Sequence, residues 1–61
     1  MKVDLYDGMW IVEVYDTEYL IIGNKEDGYD VCFNNTSCSS VEDILFSSHD
    51  FEECLVWLYN S

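Results

Sequence analysis

The stretch WIVEVYDTEYLII, residues 10–22, decides the fold of this chain. Its first half alternates like an extended strand, with one face made of Trp10, Val12 and Val14. Residues 18–22 are rich in β-branched and aromatic side chains and favour a second strand. Asp16-Thr17 between them can form a tight turn. The stretch therefore predicts an antiparallel hairpin.

The sequence on both sides of this hairpin extends the sheet. Residues 23–28 have a glycine at each end and predict a loop, and residues 29–33 predict a third strand. Upstream, residues 1–7 can add a short edge strand through Val3 and Leu5, ended by Gly8. The result is a meander of three or four antiparallel strands.

Two short helices are predicted after the polar linker of residues 34–40. The first begins at a capping box formed by Ser39 and Glu42. Its apolar stripe consists of Val41, Ile44 and Leu45.

The second predicted helix is marked by apolar residues at i, i+3, i+4 and i+7, which are Phe51, Cys54, Leu55 and Leu58. Asp50 precedes this stripe and is a candidate N-cap. Strands followed by helices predict one α+β domain over residues 1–61, with both helices packed on one face of the sheet.

Net charge is the most unusual property of the composition. The sequence has thirteen Asp and Glu residues but only two lysines and no arginine, which gives a formal charge of −11 and a pI near 4.1. Because 49% of the residues are apolar and 16% aromatic, we expect a folded chain despite this charge. Such a protein repels nucleic acid and anionic membranes, so its expected partner is a cationic protein cleft.

The expected location is the cytoplasm. The longest apolar run, residues 19–23, is far below the ~20 residues that span a bilayer, and no cationic segment with a hydrophobic core opens the sequence. The three cysteines, Cys32, Cys38 and Cys54, are an odd number. This argues against a closed disulfide framework and fits a reducing compartment.

Catalytic and metal sites have little support in the sequence. His49 is the only histidine, and Cys54, its one possible nucleophilic partner, lies on the predicted core stripe. The cysteine and histidine spacings do not match the close ligand pairs of structural zinc sites. We therefore expect a protein without catalytic residues, metal or cofactor, which acts by binding.

The acidic side chains suggest how it binds. Residues two apart on a strand, such as Asp16 and Glu18 if that segment is extended, lie ~6.6 Å apart, close to two nucleotide steps of one DNA strand. Carboxylates on a folded surface can thus imitate a row of phosphates. The candidate partner-binding residues are Glu13, Asp16, Glu18, Glu26, Asp27 and Asp30, with Tyr15 and Tyr29 as aromatic anchors.

In size, charge and aromatic content the whole chain resembles the small acidic phage proteins that mimic DNA, among them anti-CRISPR and anti-restriction inhibitors. The resemblance implies an inhibitor that occupies the basic groove of a nuclease or repair enzyme in a host bacterium. It rests on no diagnostic motif, so it assigns no residue a role.

An interaction module is the alternative hypothesis. The second predicted helix carries more apolar residues than one stripe needs, namely Val56, Trp57 and Tyr59. A surface patch around Trp57 would mediate homodimerisation or docking. In this case the charge only keeps the protein dissolved.

Overall fold

A computed structural model of the chain describes residues 1–34 and 40–60. Five antiparallel strands form one sheet in the order β1-β2-β3-β4-β5, and one helix follows. The elements are β1 (Lys2–Tyr6), β2 (Met9–Val14), β3 (Thr17–Asn24), β4 (Gly28–Phe33), a 3-10 turn (Val41–Asp43), β5 (Ile44–Ser48) and α1 (Phe51–Asn60). The α+β class is confirmed, and so is the edge strand at the start of the chain.

Two-residue turns fix the register of the first three strands. Tyr6 is opposite Met9 and Val14 is opposite Thr17. Both residues of each turn have positive φ: 52° and 79° at Asp7-Gly8, 50° and 68° at Tyr15-Asp16. Positive φ at both positions matches the twist of a tight hairpin. The second turn was predicted one residue too late, at Asp16-Thr17, because neither dipeptide contains the glycine that usually marks such a turn.

The β3–β4 turn is held by one asparagine side chain. Asn24 Oδ1 accepts hydrogen bonds from the backbone N–H groups of Glu26 (2.9 Å) and Asp27 (2.7 Å). Strand β3 needs a glycine at position 23, just before this turn, because a Cβ at Gly23 (φ 129°) would collide with the carbonyl oxygen of Gly28. Side-chain capping of backbone donors is the usual role of asparagine in a turn.

The first predicted helix is wrong. Val41–Asp43 forms one 3-10 turn, and Ile44–Ser48 continues as strand β5 beside β4. The turn is capped by Ser40, whose Oγ accepts from the backbone N–H of Glu42 at 3.1 Å, while Ser39 lies outside the described residues. An extended segment here pairs its backbone with β4 and places Phe46 opposite Val31, which a helix cannot do. Pairing with β4 therefore outweighs the local pattern that predicted a helix through Val41, Ile44 and Leu45.

The second predicted helix is confirmed as α1. Asp50 Oδ1 accepts from the backbone N–H of Glu52 at 3.0 Å and caps it. Cys54 and Leu58 are fully buried, and Phe51 and Leu55 are partly buried against the core. The apolar stripe read from the sequence is the face that packs on the sheet.

The helix covers the sheet face that carries Trp10, Val12 and Val14. The buried core consists of Val12, Val14, Ile21, Val31, Cys54 and Leu58. Aromatic pairs surround it: the ring of Phe51 lies 4.9 Å from that of Trp10 and 5.4 Å from that of Tyr29, and Phe46 stacks on Trp57 at 5.1 Å. Such pairs add to the stabilisation from area burial alone.

The opposite face of the sheet carries a second apolar row. Register places Ile11 opposite Leu20, Leu20 opposite Cys32, and Cys32 opposite Ile44. Leu20 and Cys32 are buried.

Within the described ranges, the one helix is too short to cross a membrane.

Cysteine chemistry differs from the sequence-based expectation. Cys32 is disulfide-bonded, whereas Cys54 is a free, buried thiol. Cys38 lies outside the described residues. The odd number of cysteines argues against disulfides, but this interpretation is wrong for Cys32. Three cysteines require only that one of them has no partner in the same chain.

Candidate partner-binding surface

An open depression lies at the end of the sheet where β2 turns into β3. Its volume is about 550 Å³, and we call it the acidic depression. It is lined by Glu13, Asp16, Thr17, Glu18, Phe33 and Asn34. Three of the six predicted acidic residues, Glu13, Asp16 and Glu18, therefore meet at one place.

The charge of this depression is set by strand register. Glu13 and Glu18 are directly opposite each other on β2 and β3, and Lys2 is opposite Glu13 on its other side. Opposite side chains have Cβ atoms about 5 Å apart, and like charges in this position destabilise a sheet. One lysine beside two glutamates and Asp16 leaves the site with an excess of negative charge.

Hydrogen bonds orient one of these carboxylates. Asn34 donates from Nδ2 to Glu18 Oε1 at 2.9 Å, and its backbone N–H donates to the Glu18 carbonyl oxygen at 3.2 Å. This double contact ties the end of β4 to the start of β3. The Glu18 carboxylate is thus held in position. The Asn34 amide carries no charge, so it does not neutralise the carboxylate.

The β2–β3 turn presents an acid and an aromatic ring side by side. Asp16 and Tyr15 both have positive φ, and Tyr15 is 73% exposed. The Tyr15 ring lies 6.1 Å from the ring of Tyr59 at the end of α1. Of the two tyrosines predicted as anchors, Tyr15 lies next to the acidic depression.

The other predicted residues lie elsewhere. Glu26 and Asp27 are exposed in the β3–β4 turn, at the opposite end of the sheet. Asp30 accepts a hydrogen bond from Ser47 Oγ at 2.8 Å, about 13 Å along the sheet from the Glu18 row. Tyr29 is partly buried against Phe51 in the core. The predicted set is thus divided between two ends and the core.

Three residues of the depression were missed from the sequence: Thr17, Phe33 and Asn34. Phe33 is 42% exposed and stacks on Tyr19 at 5.4 Å. Correct placement of the two-residue turn would have revealed the Glu13–Glu18 pair, because loop length fixes hairpin register. The contribution of Phe33 and Asn34 depends on β4 pairing with β3, which no local pattern reports.

A second, more apolar depression of about 340 Å³ lies between α1 and β5. We call it the Trp57 groove. It is lined by Phe46, Glu53, Val56, Trp57 and Asn60. Val56 is 52% exposed, whereas Trp57 is partly buried by its stack on Phe46. Part of the predicted apolar patch is therefore exposed, and Trp57 itself also supports the fold.

The two described side chains considered as a catalytic pair, Cys54 and His49, differ in burial. Cys54 is fully buried, and burial, followed by the charges of Glu53, Asp50 and Asp30, raises the pKa of its thiol. His49 is exposed, with Nδ1 3.4 Å from the carbonyl oxygen of Lys25. Within residues 1–34 and 40–60, no three His, Cys, Asp or Glu residues are grouped to hold a metal ion.

Comparison with known proteins assigns no relative: the chain matches no protein-family model, no curated protein and no solved structure.

Proposed function

We propose that this protein is an acidic inhibitor that occupies the basic groove of a nucleic-acid-handling enzyme or defence complex. Glu13, Asp16 and Glu18 take positions that phosphates of the nucleic acid would otherwise hold. The partner contributes Lys and Arg side chains, which are the groups that normally neutralise phosphates. The protein acts by competition and performs no chemistry of its own.

The convergence of three carboxylates in the acidic depression is the observation that supports this proposal most. Two of them, Glu13 and Glu18, are adjacent on neighbouring strands despite their mutual repulsion. A basic partner side chain placed between them would relieve that repulsion. Binding to a cationic groove thus gains from an unfavourable interaction in the free protein.

Aromatic residues at the same end can anchor the contact. Tyr15 is exposed beside Asp16, and Phe33 forms part of the lining. Aromatic side chains are frequent energetic centres of interfaces, and their faces attract the guanidinium and ammonium groups of a basic partner.

The decisive experiment compares two variants of equal net charge. The triple variant Glu13→Gln/Asp16→Asn/Glu18→Gln removes the acids of the depression, and Asp7→Asn/Glu42→Gln/Glu52→Gln removes three acids that line neither depression. Proteins captured from a bacterial lysate are eluted with duplex DNA or RNA, and the eluted enzyme is assayed with and without the inhibitor. We expect only the first variant to lose inhibition. Equal losses in both variants would mean that net charge alone acts, and capture that duplex cannot displace would refute phosphate mimicry.

A docking module is the second candidate function, supported by the exposure of Val56 and Tyr59 beside the Trp57 groove. The partner would insert an apolar side chain between Phe46 and Val56. Val56→Ser tests this more cleanly than Trp57→Ala, because Trp57 also stacks on Phe46 in the fold. Loss of partner capture with Val56→Ser, and no effect of the triple acidic variant, would favour docking over mimicry.

A further inference from the structure

Strand β1 leaves one side of its backbone open. It is the first strand in the sheet order and pairs with β2, and every one of its five residues is exposed. Leu5 is 60% and Tyr6 67% exposed. The outer side of an edge strand presents backbone N–H and C=O groups that can pair with another chain.

The other edge of the sheet is built differently. The β4–β5 pairing contains an irregularity at Val31/Cys32, and Phe46 of β5 stacks on Trp57 of α1. A bulge and a covering helix are two usual means of protecting an edge strand. β1 is regularly paired with β2 over all five residues. It is therefore the edge of the described sheet that is open to strand pairing.

We propose that β1 pairs antiparallel with β1 of a second copy, about a two-fold axis that passes between the two Val3 residues. Lys2 of each copy then lies opposite Asp4 of the other, which forms two oppositely charged cross-strand pairs. Val3 contacts Val3 on the other sheet face. The two five-stranded sheets become one sheet of ten strands. This inference does not depend on the proposed inhibitory function.

The order of charges along β1 selects this register. A two-fold axis perpendicular to the sheet keeps each side chain on its own face, so only residues separated by an even number can be opposite. Centring on Lys2 places lysine against lysine, and centring on Asp4 places aspartate against aspartate. Only the Val3-centred register pairs opposite charges, and opposite charges stabilise a cross-strand pair.

Dimerisation would also combine the acidic depressions. The Glu13–Glu18 pair lies on the same sheet face as Lys2, because these residues are in register. In the ten-stranded sheet the two pairs share that face, four strand spacings or about 20 Å apart. A single surface would then carry two symmetrical acidic sites.

Sedimentation at physiological ionic strength tests the dimer and its charges. We expect Asp4→Lys to weaken dimerisation about tenfold, and the exchange variant Lys2→Asp/Asp4→Lys to recover it. Glu42→Lys is the matched control: it makes the same change in net charge outside β1 and should leave the dimer intact. A chain that stays monomeric up to about 1 mM would overturn the proposal, even for an interface as small as a strand edge.

Cysteine cross-linking tests the register without altering charge. Opposite residues in an antiparallel pair have Cα atoms about 4.5–5.5 Å apart, which suits a disulfide. We expect Val3→Cys to form a cross-linked dimer under mild oxidation and Leu5→Cys to remain uncross-linked. Cross-linking through Leu5 alone, or a dimer that is lost with Val56→Ser and not with Asp4→Lys, would overturn the Val3-centred pairing. The first outcome would indicate another register, and the second an interface at the Trp57 groove.

Discussion

Glu13 and Glu18 lie directly opposite each other across the β2–β3 hairpin. This position brings two negative side chains within about 5 Å, where like charges oppose sheet formation. The hairpin forms nevertheless, because Val12, Val14 and Ile21 on its other face are buried under α1. Burial of this face thus outweighs the repulsion between Glu13 and Glu18. A cationic group placed near both carboxylates would reduce that repulsion.

Removing one of these charges should stabilise the protein. We expect Glu18→Gln to raise the free energy of unfolding by about 0.5 kcal/mol, since the amide relieves the repulsion and still accepts from Asn34. Glu52→Gln also removes one charge, but Glu52 lies in the first turn of α1, where the helix dipole favours an anion. That control should lower stability by a similar amount. Urea unfolding checks both, and equal shifts of one sign would contradict a specific role for the Glu13–Glu18 contact.

The β2–β3 turn should separate stability from binding. Asp16 has φ 68°, a conformation that glycine adopts at lower cost than aspartate. We expect Asp16→Gly to be more stable than Asp16→Asn by about 0.5 kcal/mol, because asparagine keeps most of the conformational cost. Both variants should weaken binding to a basic partner equally, since both remove the same charge. Thermal unfolding and a titration with the partner measure the two effects, and a difference in binding between them would show that turn conformation matters as well.

Gly23 should tolerate no side chain. An added Cβ would collide with the carbonyl oxygen of Gly28, and the residue has φ 129°. We expect Gly23→Ala to cost at least about 2 kcal/mol, because the backbones of β3 and β4 must move apart. Gly8→Ala is the control: Gly8 has φ 79° but open space around its Cβ position, so only the conformational cost of about 1 kcal/mol remains. Similar losses at the two positions in denaturant unfolding would rule out the steric explanation.

Cys54 should make stability fall at alkaline pH. Burial raises the pKa of its thiol above the ordinary value of 9.0, so near and above pH 9 the unfolded chain loses this proton before the folded chain does. Deprotonation then favours unfolding, and the contribution of Cys54, complete below pH 9, is lost as the pH rises toward the folded pKa. Comparison of wild type with Cys54→Ala between pH 7 and pH 10 isolates this effect. The same slope in both proteins would exclude Cys54 as its cause.

The sequence by itself determined the elements that have a clear local period. The strand over residues 10–14 and the i, i+3, i+4, i+7 stripe from Phe51 to Leu58 were predicted correctly, because each element buries one face and its period reports that face. Tyr15, predicted to end the strand, lies in the turn. The sequence also determined the charge of −11, from which we predict a basic partner.

Only the tertiary structure decided the segment Ile44–Ser48 and the arrangement of the acids. Ile44–Ser48 could form one helical turn or a strand, and pairing with β4 selected the strand. A turn placed one residue earlier than predicted set Glu13 opposite Glu18 instead of Leu20, since moving a two-residue turn by one residue moves every cross-strand partner by two. It left Glu26 and Asp27 at the far end of the sheet. The number of charges follows from composition, but their contacts follow from register, which depends on residues distant in the chain.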